Sequence, residues 1–393
     1  MNLKRQIFLV NLYSFCIHTI FVLAIIIPYY QNQIGLSFHE FMIGEAVFAG
    51  VIIAMEVPSG WMSDVWSRKG TLIVGTLFAI VGYTTMLHAD NLPTAILGQA
   101  ITGVGVAFNS GTITSILYDS LAMKGKEHLY QRLEGKRHGI GLYAIAIASV
   151  IGGILYQIDP YLPLKLDVAT LFVALGGIFF IVEPDRIKKE AEHHPIKDML
   201  MTMKYALYGH KEIAGIIIVS TVLFCSTKLY MWTQQPYMQF VEIPTSWFGY
   251  IIAGGFLFGG LMGQFGHKIQ LNISNRHMLM MLTAIPVLAT IGAIILPFQS
   301  SIIFILMVSG VWGFGFPFVQ NAINKHADPA RRATILSSLG LLISIMFIPS
   351  GLILGWLEEN ISIQAGLSYI AIQLGVLSII GFWLWNRGSK KSS

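Results

Sequence analysis

The chain has 393 residues, of which 54% are hydrophobic and only 11% charged, and its mean hydropathy is +0.66. Soluble domains carry about 25% charged residues, so this composition excludes an ordinary soluble enzyme and points to a protein dissolved in lipid. The formal net charge of +5 is spread over short segments and carries no nucleic-acid signature.

Crossing about 30 Å of hydrocarbon at ~1.5 Å per residue takes about 20 apolar residues. Runs of that kind lie near 7–30, 40–62, 70–89, 92–119, 137–157, 164–183, 212–240, 247–268, 275–297, 300–325, 331–357 and 365–386. They do not alternate polar with apolar as barrel strands do. The expected fold class is therefore an all-α membrane protein of twelve transmembrane helices in two six-helix halves. The first run is too long for a cleavable signal peptide and lacks a small-residue cleavage site, so it reads as span 1. Cys16 and Cys225 both fall inside runs and say nothing of disulfides. When the spans are threaded in order, every lysine and arginine except Lys165 and Lys228 falls in loops on one side, Arg137 included. Positive loops mark the cytoplasm, so both termini are expected there, in a plasma membrane of the bacterial inner-membrane type.

Ionisable groups inside spans are costly and are usually functional or paired. Span 1 carries Asn11, Ser14 and His18 as a polar stripe. His18 reads equally as a histidine satisfied by a neighbouring helix and as a proton carrier. Span 2 holds Glu45 nearer the outer end and Glu56 just before Pro58, a proline that frees a backbone carbonyl and loosens the helix. A carboxylate that moves between wet and dry surroundings can take up and release a proton. Glu56, Glu45 and His18 are the proton-coupling candidates, with Glu56 ahead.

Between spans 2 and 3 the chain reads Gly60-Trp-Met-Ser-Asp64-Val-Trp-Ser-Arg68-Lys69. Gly60-x-x-x-Asp64-x-x-x-Arg68-Lys69 at this place resembles the loop signature of the major facilitator superfamily, with Ser67 where the pattern usually has glycine. The resemblance implies that the loop carboxylate caps a helix in the opposite half, and that Arg68 pairs with an acid at the end of span 4. Asp119 of Leu-Tyr-Asp-Ser-Leu stands at that place. Gly60, Asp64, Arg68, Lys69 and Asp119 thus form a candidate conformational latch. A carboxylate at a helix N-terminus gains ~0.3–1 kcal/mol, more when partly buried. The plainer reading is a tight turn that obeys the positive-inside rule.

Two further family features are weaker. Gln99, four residues before Gly103, stands where many proton antiporters of the superfamily place an arginine. Span 5 carries Ala144-x-x-x-Ala148-Ser149-x-x-Gly152-Gly153, similar to the antiporter signature but with Ala-Ser for Gly-Pro. Small residues at this spacing also serve helix packing.

The hydrophilic stretch from 183 to 212 divides the spans six and six, giving halves at 1–183 and 212–393 with a linker at 184–211. Within the linker, Ile196, Met199, Leu200, Met203 and Leu207 recur at helical spacing and predict a short amphipathic surface helix. His193 and His194 lack further ligands, so no metal site is expected. Gly260-Leu-Met-Gly-Gln264-Phe-Gly-His-Lys268 echoes the latch stretch, which is internal-repeat evidence.

Lys228, in span 7, reads as the only basic residue inside the spans. By the resemblance, spans 1, 4, 7 and 10 line a central cavity. Lys228, Asn11, Asn109, Tyr230, Gln234, Trp312 and Asn321 are then the substrate-binding candidates; for Lys228 the alternative is snorkelling to the outer interface. A polar, aromatic lining suits amphipathic organic molecules. The expected function is a proton-coupled exporter of such compounds working by alternating access. The alternative is a proton symporter importing an anionic metabolite such as a carboxylate or iron chelate. The sequence shows no Ser-His-Asp set, metal cluster or phosphate loop, so neither enzyme activity nor a cofactor is expected. The expected partners are a small-molecule substrate, protons and the lipid bilayer, with no nucleic acid, and the chain is expected to act as a monomer.

Overall fold

A computed structural model describes residues 2–184, 201, 204, 206, 210–269, 273–328 and 332–389. Among these, 12 helices are long and apolar enough to span a bilayer. They are Leu3–Ile34, Phe38–Trp66, Arg68–Leu87, Leu92–Ala122, Glu127–Ile158, Leu162–Phe180, Lys211–Phe240, Thr245–Gln264, Asn275–Ile295, Gln299–His326, Thr334–Asn360 and Ile363–Asn386. No strand occurs among the described residues. The apolar positions of the surface helix expected over 196–207 lie outside the described residues. The chain forms two units. One comprises Met1–His193 with Thr245–Ala253, the other His194–Pro244 with Gly254–Ser393.

Side-chain caps set where helices begin. Ser37 and Glu40 form a reciprocal capping box at the start of span 2, which satisfies two backbone amides at once. Ser67 accepts from Gly70 N at the start of span 3, and Asn91 accepts from Thr94 N at span 4, followed by a proline in the first turn. Span 5 starts earlier than the sequence suggests. Its helix runs Tyr130–Ile158, and the charged turns read as loop belong to it. The physical reason is that Arg137 is paired within the bundle, so its charge does not have to stay in water.

Spans 1 and 4 of the first unit are not single helices. Span 1 is helical over Leu3–His18, stops at Thr19, and resumes as a 3₁₀ turn at Val22–Ile25. Span 4 runs Leu92–Asn109, turns through Ser110 and Gly111, and resumes over Thr112–Ala122. Gly111 has φ +71°, which a residue without a side chain adopts at no steric cost. In the second unit, the helices of spans 7 and 10 are continuous over Lys211–Phe240 and Ile302–His326, although Pro236 and Pro317 lie inside them.

Candidate functional site

An interrupted helix leaves backbone amides without partners, and in lipid each such group costs several kcal/mol. The break in span 1 is closed by Asp167 of span 6, which is 2% exposed. Its carboxylate accepts from Phe21 N at 2.7 Å and Val22 N at 3.1 Å. Span 5 presses on the same break. A side chain on Gly152 would come within 1.9 Å of the Phe21 carbonyl oxygen, and one on Gly249 within 2.3 Å of the Ser149 carbonyl. The small residues that resemble an antiporter signature therefore serve close backbone packing here. Asp167 sits inside a predicted span but was not among the ionisable candidates. A lone carboxylate in a run of Leu, Val and Ala was the available signal.

The latch turn is assembled around Arg68. Its guanidinium pairs with Asp119, and its Nη2 lies 3.9 Å from Oδ1 of Asp64, whose side chain is 47% exposed. The turn has a further anchor that sequence reasoning missed. Glu183, just past span 6, accepts from Arg68 N at 2.8 Å, Lys69 N at 2.7 Å and the Ser67 hydroxyl at 3.0 Å. This is a carboxylate on free amides at a helix start, where the helix dipole favours negative charge. The Lys69 ammonium donates to the Phe179 carbonyl at 2.8 Å, and Gln6 pairs with both backbone groups of Val182. The end of span 6 is thereby fastened to span 1 and to the latch turn. Gly60 is exposed on span 2, with open space around its α-carbon.

The proton-coupling candidates lie apart. Glu45 is 4% exposed and accepts from Gln99 Nε2 at 3.3 Å, while the same amide reaches the Tyr30 hydroxyl at 3.3 Å. Glu56 is half-buried one turn before Ser59, whose hydroxyl donates to its carbonyl. His18 ends the first helix of span 1 with Nδ1 2.6 Å from the Ser14 carbonyl, and its ring lies against Gly141.

Of the substrate candidates, Asn11 is half-buried on span 1, and Asn109 is packed so closely on span 3 that a side chain on Gly75 would strike its carboxamide. In the second unit Lys228 is half-buried, with Nζ 3.8 Å from the centroid of the Phe347 ring, a cation–π contact. Tyr230 and Gln234 are buried, Trp312 stacks on Phe316 and meets Phe224 edge-on, and Asn321 is exposed. Glu358 of span 11 accepts from the Thr233 hydroxyl at 2.8 Å.

Lys228 is not the only basic residue inside the spans. Arg137 lies within Glu127–Ile158, its side chain 11% exposed. Nε donates to Glu134 Oε2 at 2.8 Å, Nη1 to the Ser14 hydroxyl at 3.1 Å and Nη2 to the Thr114 hydroxyl at 3.2 Å. Nη2 also meets Glu134 Oε1, so the pair is bidentate. Sequence reasoning placed Arg137 in a basic loop because Lys136 and Arg132 flank it.

A family model described as the Major Facilitator Superfamily matches residues 7–350, and the chain belongs to that family. Solved structures share the fold. A mutant of the nucleoside transporter NupG superposes with TM-score 0.78 at 16% identity, covering 98% of this chain and 99% of that one. An autoinhibited peptide transporter of the POT family gives 0.75 at 12% identity over 98% and 97% of the two chains. A POT family transporter in complex with 5-aminolevulinic acid gives 0.72 at 13% identity over 100% and 96%. Sugar transport protein 14 of Arabidopsis thaliana is 23% identical over 179 residues, which is 44% of this chain. The match spans about a third (34%) of that relative's length.

Proposed function

We propose that the protein is a proton-coupled secondary transporter that takes up a small anionic metabolite by alternating access. The observation that carries this reading is a partly buried cation inside the spans of each unit, Arg137 in the first and Lys228 in the second. Cations at membrane depth are usually functional, and one that can exchange its present partner for a negatively charged solute would serve as an anion site. The proton-coupling candidates of the sequence are Glu56, Glu45 and His18. Solved relatives named for nucleosides and peptides agree with a small polar solute. Export of amphipathic compounds is the second reading; it rests on the aromatic set of Trp312, Phe316 and Phe224. It is weakened by Gln99, which engages Glu45 and Tyr30 instead of presenting a charge. Both termini and the latch turn are assigned to the cytoplasmic face of a plasma membrane, and the working unit is the monomer.

Proteoliposomes with an imposed pH gradient test the reading. Acid outside should drive accumulation of organic anions above equilibrium. Lys228→Met should raise KM for the anion and leave a neutral analogue unaffected. Stimulation by acid inside, with organic cations as the preferred solutes, would instead establish export.

A further inference from the structure

Glu134 and Arg137 sit one helical turn apart on span 5, at the meeting point of the two interrupted spans of their unit. Ser14, which accepts from Arg137, lies in the last turns of the helix that stops at His18. Thr114, which accepts from Arg137 and donates to Glu134 at 3.3 Å, lies in the first turn of the helix that restarts at Thr112. That restart has no side-chain cap, and the positive end of the 11-residue half-helix lies beside the pair. Half-helix N-termini of this kind face anionic substrate groups in transporters with discontinuous helices.

The hydrogen-bond inventory shows what the pair can do. The Nε and Nη2 edge of the guanidinium, which is the edge shaped for a carboxylate, is filled by Glu134. Glu134 is 24% exposed against 11% for Arg137, so water reaches the acid more readily than the base. A proton on Glu134 would cancel the charge that holds it to the fork and turn one of its oxygens into a donor, which cannot face a guanidinium. The titratable groups that adjoining elements bring to the pair are His18 from span 1 and Tyr118 from span 4, the latter through its ring contact with Tyr130. Tyr130 and His138 lie on its own helix.

We propose that Arg137 is the anchor for the carboxylate of the transported solute, and that Glu134 is its proton-operated cover. Ionised Glu134 occupies the fork. When Glu134 takes a proton from water, the fork opens, the solute carboxylate binds in its place, and one proton and one anion cross together without net charge. This rests on the uptake reading above, but it assigns the coupling to Glu134 and not to Glu56, Glu45 or His18.

Infrared difference spectroscopy of the full chain in lipid, without solute, tests the cover. Of the neutral-carboxyl bands that appear on acidification, one should vanish in Glu134→Gln and persist in Glu56→Gln and Glu45→Gln. Persistence of every such band in Glu134→Gln overturns the proposal. Thermal unfolding of the detergent-solubilised full chain tests the anchor, with benzoate, lactate and succinate each set against its neutral amide. At acid pH at least one carboxylate should raise the midpoint where its amide does not. The shift should be lost in Arg137→Gln, and it should extend to neutral pH in Glu134→Gln. A carboxylate shift that survives Arg137→Gln, or none with any of the three acids, overturns the assignment. Failure of the uptake reading shows elsewhere, as proteoliposomes in which acid outside drives no anion.

Discussion

The two units treat their backbones differently. In the first, spans 1 and 4 are broken, and at the break in span 1 the amides of Phe21 and Val22 are taken up by the Asp167 carboxylate. In the second, the helices of spans 7 and 10 run unbroken through a proline each. Its ionisable side chains meet other side chains, Lys228 over Phe347 and Glu358 on Thr233. A break gives a transporter backbone dipoles to aim at a solute, at the cost of buried carboxylates that hold the break open. A continuous helix needs no such support and leaves charge to the side chains.

The sharpest way to break this contrast is Asp167→Ala. Two buried amides would lose their acceptor at ~1–3 kcal/mol each, so the variant should lose most of its thermal stability or fail to fold. Asp167→Asn, which keeps one acceptor oxygen, should fall between it and the parent. Glu358→Gln in the second unit keeps an acceptor for Thr233 and should shift the unfolding midpoint little. If Asp167→Ala unfolds with the parent, the bracing account is wrong.

Next in size is Gly152→Ala, whose new carbon would lie 1.9 Å from a backbone oxygen that cannot move aside cheaply. It should cost a few kcal/mol, in the range of overpacked cores (roughly 1–3). Gly375→Ala in span 12 meets open space and should be neutral or stabilising by about 0.5–1 kcal/mol, the helix-propensity gain. Equal effects at both positions would mean that the close approach of span 5 to the break does not matter.

A smaller loss is expected at the latch, and there in rate more than in stability. Glu183→Gln keeps the hydrogen bonds of one oxygen but loses the charge on three donors, a change of ~0.3–1 kcal/mol at a helix start. Asp64→Asn and Asp119→Asn should slow transport about tenfold, the equivalent of ~1.4 kcal/mol on the barrier, in protein that still folds. Gln264→Asn, at the echo of the motif inside the continuous helix Thr245–Ile269, should leave transport unchanged. Parental rates in all three first-unit variants would remove the latch.

The smallest expected effect is on pH dependence. Asp159, in the turn between spans 5 and 6, accepts from Tyr161 N at 2.9 Å and from the Lys165 ammonium at 3.0 Å. The backbone bond, followed by Lys165, holds its carboxyl below the ordinary value. Its stabilising contribution is thus present above the ordinary aspartate range and is lost as pH falls through the lowered value. Asp159→Asn should flatten a slight acid-side decline in stability. The turn between spans 11 and 12, capped by Ser362 on Ala365 N, offers a hydroxyl and not a carboxylate at that place. A variant that left the acid limb as steep as the parent's would assign it to other groups.

The spans were legible because the bilayer imposes a length and an apolarity that survive any detail of backbone geometry. The Arg68–Asp119 contact was legible through the resemblance of the loop motif, which implies an acid partner at the end of span 4. The breaks were not. Hydropathy sums apolar side chains whether or not the amides beneath them are paired, and neither Thr19 nor Phe21 is a helix breaker. Gly111 alone hinted at the second break. Arg137 was hidden by its neighbours: a positive residue beside Lys136 counts as loop until the pairing with Glu134 is seen. Glu183 looked like the first residue of a polar linker because its partners are backbone amides, which no side-chain pattern announces.

The contact of Gly152 with the Phe21 carbonyl has a consequence for how the chain can change over descent. The break in span 1 needs both a carboxylate at 167, which takes up its amides, and a bare α-carbon at 152, which leaves room for its carbonyl. A relative that straightens span 1 has no amides for the carboxylate and no carbonyl crowding the glycine, so both positions become free to drift. Replacements at 167 and 152 should therefore be purged while the break persists and tolerated once span 1 is straight.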